Sequence, residues 1–188
     1  MLPRLSSFKG FVVVAMLALS ACASAMYDSV LIDSLKAPYR VGSGDKLRII
    51  VFGQDNLSNL YTVDATGRIS FPLIGNVPLR DMTTRDIEQT IAQRLQQGYI
   101  REPKVSVEID VYRPFYIMGE VTTSGQFAFV NGMTVQTAVA IAGGFTPRAN
   151  QRQATITRKI NGELVTGIVP LTHPVRPGDT IMIAERWF

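Results

Sequence analysis

The sequence holds one cysteine and one histidine in 188 residues. The single thiol, Cys22, excludes an intrachain disulfide. With His173 as the only imidazole, the chain cannot supply a zinc site built from Cys and His. A Ser-His-Asp or Cys-His device would have to use His173, which sits in Thr172-His173-Pro174 and reads as an exposed turn histidine. Charge of one sign is never concentrated: there is no run of five like charges. The formal charge is +4, but Arg4 and Lys9 lie in the first 22 residues, and the rest carries 17 basic against 15 acidic groups. So even a balance excludes a nucleic-acid footprint, which needs clustered Lys and Arg. Long apolar runs are missing too. Phe11 to Leu19 gives nine apolar residues, about 14 Å of helix and roughly half a hydrocarbon core, too short to cross a bilayer. We read no repeat longer than a dipeptide.

What is present begins with a three-part secretory signal. Arg4 and Lys9 supply the positive region, the nine apolar residues follow, and Ser20-Ala21 precede Cys22. Leu19-Ser20-Ala21-Cys22 resembles the bacterial lipobox, in which the cysteine is acylated; the alternative is an ordinary signal peptide with Cys22 incidental. Each buried CH₂ adds about 0.8 kcal/mol, so several acyl chains would hold the protein on a bilayer. Ala23 after the cysteine resembles the sorting pattern for outer-membrane delivery. Ala23 to Lys36 is polar and irregular enough to serve as a tether.

The body divides near Tyr112-Arg113-Pro114. Its first half opens with the Gly-rich turn Val41-Gly42-Ser43-Gly44-Asp45, followed by a strand from Leu47 to Phe52. Tyr61 to Asp64 and Arg68 to Phe71 read as a hairpin about Ala65-Thr66-Gly67. Pro72 and Gly75 interrupt pairing in the stretch that follows. Thr83 caps a helix whose Ile87, Ile91 and Leu95 form one apolar stripe, with Gly98 as its stop. Val105, Val107, Ile109 and Val111 alternate with Ser106, Glu108 and Asp110, predicting a strand with one wet face.

The second half predicts strands over Phe115 to Met118 and Gly125 to Phe129, then a helix capped by Thr134 and ended by Gly143-Gly144. Asn161-Gly162 between Thr155–Ile160 and Glu163–Ile168 is a type I′ hairpin signal. Pro177-Gly178-Asp179 turns the chain into a closing strand from Thr180 to Ala184. The order predicts an α+β protein of two small domains with mixed sheets.

Gly42-Ser43-Gly44 is no dinucleotide loop, because Leu47 stands where a third glycine is needed and a strand follows where a helix is required. Its glycines permit positive φ, and Asp45 can bond nearby amides. Asp45, Asp64, Glu88, Glu120 and Asp179 lie near turns, and no spacing pairs them as a glycosidase would, although such pairs need only meet in space. Arg148, Arg152, Arg158 and Lys159 form a modest basic group, either a solvated face or a contact with an acidic polymer or a neighbouring subunit.

Tyr39-x-Val-Gly-x-Gly-Asp-x-Leu, Gly67-x-Ile-x-x-Pro72-Leu-Ile-Gly75 and the approach to Pro103-x-Val-x-Val resemble the polysaccharide biosynthesis/export family. Gly119-Glu-Val, Gly125-x-Phe, Ala142-Gly143-Gly144-Phe-Thr and Pro177-Gly178-Asp179-Thr-Ile resemble the soluble-ligand-binding β-grasp (SLBB) domain. The resemblance implies a signal peptide over 1–21, a lipidated tether over 22–37, an export domain over 38–112 and a β-grasp domain over 113–188. It also implies a periplasmic homo-oligomeric ring, an octamer being one candidate order, that passes capsule or exopolysaccharide. An inner-membrane co-polymerase with a tyrosine-kinase portion is the implied partner; no cofactor is implied. Full-length relatives add a second β-grasp copy and a C-terminal pore helix, which this short form lacks, so a separate outer-membrane pore subunit is expected. Trp187-Phe188 either anchors to a partner or the bilayer interface, or covers the domain's own core. A conduit component is the expectation, with a polysaccharide-binding adaptor and a carbohydrate-active enzyme as the other classes.

Overall fold

A computed structural model describes residues 29–187. The expected signal peptide, Cys22 and Phe188 lie outside the described residues. The chain is α+β, with two hydrophobic cores, each built under its own sheet.

In the first unit, β1 (Lys46–Val51) pairs antiparallel with β2 (Asn59–Thr62) and with β5 (Val105–Val111). Leu47, Ile49 and Val51 point inward while Lys46, Arg48 and Ile50 face water, so the apolar run from Leu47 alternates after all. Helix α2 (Thr84–Gln96) closes this core with Ile87, Ile91 and Leu95, each fully buried. Thr83 and Asp86 complete a reciprocal capping box at its start.

Two strand expectations need correction. Tyr61 to Asp64 and Arg68 to Phe71 meet at the turn, where the Asp64 N–H donates to the Arg68 carbonyl at 2.9 Å, but they form no strand ladder. β2 joins β1, and β3 (Arg68–Phe71) instead pairs with β4 (Gly75–Pro78) through Phe71↔Gly75, so Pro72 and Gly75 make a tight hairpin where an interruption was expected. Asp64 closes the turn between β2 and β3: its carboxylate accepts from the backbone N–H groups of Thr66 and Arg68. Along β5 the strict alternation also fails. A register shift pairs Lys46 with Val111 but Leu47 with Ile109, and this bulge turns Val111 out to 47% exposure.

The second unit is a five-stranded mixed sheet in the order β7-β6-β10-β8-β9: Gly125–Phe127, Phe115–Gly119, Thr180–Ile183, Gln153–Ile160 and Glu163–Pro170. β6 and β10 run parallel; the other pairs are antiparallel. Helix α3 (Val135–Ile141) packs Val135, Ala138 and Val139 against the sheet's inner face. Asn161 and Gly162, at φ 51° and 91°, form the β8–β9 turn.

The segment expected to be an irregular tether is ordered where it is described. Helix α1 (Ser29–Ser34) drives Leu31, with no exposed surface, into the core of the second unit and not the first. The described residues therefore start on the second unit, cross to the first, and return through Tyr112-Arg113-Pro114.

Candidate functional site

Two turns built to one plan lie where the units meet. Val41-Gly-Ser-Gly44-Asp45-Lys-Leu47 and Val175-Arg-Pro-Gly178-Asp179-Thr-Ile181 share the pattern Val-x-x-Gly-Asp-x-Leu/Ile, a seven-residue correspondence that the sequence reading missed. In each, the valine and the final aliphatic residue are buried in their own core. The glycine takes positive φ, +94° at Gly44 and +86° at Gly178, a conformation that a Cβ would strain. The aspartate that follows folds back. The Gly42 N–H donates to Asp45 Oδ2 at 2.8 Å, and the Arg176 N–H donates to Asp179 Oδ2 at 2.7 Å. The Asp45 and Asp179 amides donate in return to the Gly42 and Arg176 carbonyls.

Both carboxylates are fully buried, so each requires a cation or several donors. Arg113 serves Asp45, donating from its backbone N–H at 2.8 Å to Oδ1 and from Nη1 at 3.3 Å to Oδ2. Its Nε reaches across to the Pro177 carbonyl at 3.2 Å, so one guanidinium bonds both turns. The same group lies 5.5 Å from the centre of the Tyr39 ring, whose hydroxyl donates to Asp45 Oδ2 at 2.7 Å. Burial raises the Tyr39 phenol well above its usual range. Tyr39, Tyr112 and Phe129 continue the contact as edge-to-face rings, 5.1 and 5.4 Å between centres. A Cβ on Gly42 or Gly178 would collide with the Arg113 side chain, so both glycines are shaped by this clasp as well as by their turns.

Arg158 serves Asp179. It is 4% exposed and donates from Nε at 2.9 Å and from Nη2 at 2.7 Å to the two carboxylate oxygens. Its remaining donors hold the Pro174 carbonyl at 3.0 Å and the Ser34 hydroxyl at 2.8 Å. Arg176 Nη2 adds bonds to the Leu35 and Ala37 carbonyls at 2.9 and 2.7 Å. Together the two arginines fasten residues 31–37 to the second unit.

This corrects the basic group. Arg158 turns inward and is no polymer or subunit contact. Arg148 pairs with Glu185 at the surface, while Arg152 precedes β8 and Lys159 lies near the far end of that strand. Sequence proximity suggested a cluster that an extended strand pulls apart. His173 is likewise buried, at 4% exposure, and not an exposed turn residue. Trp187 is 94% exposed and covers no core.

The other motif residues are dispersed through the fold. Gly67 lies against Arg80, Pro72 and Gly75 shape the β3–β4 tip, and Pro103 precedes β5. Gly119 abuts the Ile183 backbone, while Gly143 and Gly144 end α3 beside Thr122. Reasoning from sequence overlooked Arg113, Arg176 and the structural role of Arg158. The repeated Gly-Asp turn, had it been aligned, would have asked for one cation per aspartate.

The chain carries two family domains: residues 33–110 match the polysaccharide biosynthesis/export protein family, and residues 114–169 match an SLBB domain. Among curated relatives, the exopolysaccharide production protein ExoF of Rhizobium meliloti is 34% identical over 135 residues, covering 65% of this chain and 32% of its own. The EPS I polysaccharide export outer membrane protein EpsA of Ralstonia nicotianae is 26% identical over 183 residues, covering 79% and 48%. Its namesake from Ralstonia solanacearum is 26% identical over 196 residues, covering 85% and 52%. The chain thus spans from about a third to about half of the length of these relatives. The family's name speaks of polysaccharide biosynthesis and export, that of ExoF of exopolysaccharide production, and that of EpsA of polysaccharide export.

Proposed function

We propose that this protein is a non-catalytic subunit of an exopolysaccharide export assembly, lipid-anchored through Cys22 at the periplasmic face of the outer membrane. Copies join in a homo-oligomeric ring that conducts the polymer. The observation that carries this reading is the succession of an export domain and an SLBB domain in one chain. Arg113 bonding to both units supports a fixed relation between them, which a ring subunit needs. The outer-membrane name of the EpsA relatives supports the location.

The carboxylates weighed for hydrolysis have structural partners. Asp45 and Asp179 hold arginines, Asp64 accepts from Thr66, Glu88 accepts from the Val107 N–H, and Glu120 accepts from Thr146. Such engagement favours the non-catalytic reading. Ser29 follows Cys22 by seven residues, a reach of at most about 25 Å. An acylated Cys22 therefore keeps the second unit, where Leu31 is seated, close to the bilayer. Among the described residues no helix is long and apolar enough to cross a membrane. The assembly on this reading draws its pore from a separate subunit and its polymer from an inner-membrane co-polymerase.

The test is the mass and symmetry of the lipidated protein extracted from membranes in mild detergent. A closed ring is expected. A monomer that persists when polymer is added would replace the conduit with a polysaccharide-binding adaptor.

A further inference from the structure

His173 has a position that the export reading leaves unused. Its ring is buried, and among the described residues its Nε2 is the buried side-chain polar atom without a protein partner. The loop around it is fixed. The His173 N–H donates to the Pro170 carbonyl, its carbonyl accepts from the Val135 N–H, and the next carbonyl, of Pro174, accepts from Arg158 Nη2. Arg158 is the side chain that reaches onward to the Ser34 hydroxyl of the docked N-terminal segment. The histidine is thus one residue from the carbonyl that anchors Arg158, the side chain whose Nη1 bonds the segment at Ser34.

We propose that His173 is an acid-operated release for residues 29–37: a proton on its ring sets a second cation against Arg158, and the segment leaves the second unit. The proposal stands apart from the ring and lipid readings and requires only the docked segment. The charged neighbours that decide it are few. Arg158 on β8 opposes a charged ring, Asp179 in the turn before β10 favours it, and α3 contributes no charged residue. Arg176 is engaged on the Leu35 and Ala37 carbonyls, and Asp33 pairs with Lys36 at the surface.

The direction of the pH effect follows. Burial first and Arg158 second hold the imidazole below its usual 6.5, against a smaller pull from Asp179. The neutral ring belongs to the docked form. Docking is at full strength above the unperturbed value and weakens as pH falls below it, towards the depressed value of the buried ring.

Amide hydrogen exchange tests this on the full chain, corrected for the intrinsic rate, from about pH 7.5 to about pH 5. The Leu35 and Lys36 amides, which bond the Ile32 and Asp33 carbonyls, should lose roughly tenfold or more of their protection. Ile156 and Ile181 in the sheet should keep theirs. In His173→Gln the segment should show no such pH dependence. Equal loss in that variant, no loss in the parent, or a uniform loss that includes Ile156 and Ile181 would each overturn the proposal. Should His173→Gln fail to fold, the NMR titration of the ring in the parent decides. Its midpoint must coincide with the loss of protection, and a mismatch sinks the release mechanism.

Discussion

At the scale of single residues, a buried charge is tolerated only when its lone pairs and protons are engaged, and Arg158 and Asp179 satisfy each other in that way. Arg158→Leu strands the carboxylate and should cost about 3–5 kcal/mol in urea unfolding. Arg158→Leu combined with Asp179→Leu should recover much of that loss, because no unpaired charge remains. A double variant no more stable than the single would show that the donors to Pro174 and Ser34 matter more than the ion pair. Tyr39 makes a second prediction. Its phenol is held neutral by burial, so the stability it contributes is complete below pH 10, the ordinary tyrosine value, and is lost as pH rises past it. Tyr39→Phe should weaken that alkaline dependence in a pH series of thermal melts.

At the scale of elements, α1 is six residues long and cannot hold its shape alone, since helices that short are not stable in water. Its order comes from Leu31 in the second core and from the arginine bonds to the carbonyls of Leu35 and Ala37 and the hydroxyl of Ser34. Leu31→Ala removes most of that apolar seat and should cost about 2–5 kcal/mol where the cavity cannot collapse. The loss should be read first as faster proteolysis within residues 29–37, before the sheet unfolds. If cleavage and global unfolding stay coincident, α1 is an integral part of the domain and not a separable strap. The hairpin β3–β4 teaches a related point about local chemistry. Leu73 at its tip takes φ 69° while 54% exposed, so the turn tolerates backbone strain to keep Ile69, Phe71 and Val77 in register.

For the whole molecule, the chain's two passages between units are side by side in the fold: residues 37–41 one way and 111–115 the other. Arg113 ties the Asp45 turn to the Pro177 turn beside them. Two crossings and a shared cation restrict relative rotation far more than one linker would. On the proposed reading, delivery to the membrane rests on Cys22. Cys22→Ser should leave the precursor without acyl chains and strip the protein from outer-membrane fractions on density gradients. Unchanged flotation would mean that the folded body binds the membrane unaided.

Periodicity and turn chemistry alone determined a good deal: the capped helix with Ile87, Ile91 and Leu95, the Asn161-Gly162 hairpin, the strand after Gly44-Asp45, and the α+β class. These are decided by neighbours within a few residues, where side-chain spacing and backbone sterics act directly. The family resemblance was also legible, because it resides in the order of short motifs. Tertiary structure decided the rest. The partner of β3, the bulge that exposes Val111, the seat of Leu31 and the inward turn of Arg158 all depend on residues far away in sequence. A lone arginine in an alternating strand looks solvated until a buried carboxylate 21 positions later requires it. The Gly-Asp turn asks for a cation, but no local pattern names Arg158 as that cation, since the free energy that settles it is the cost of burying a charge, which exists only once the core has closed.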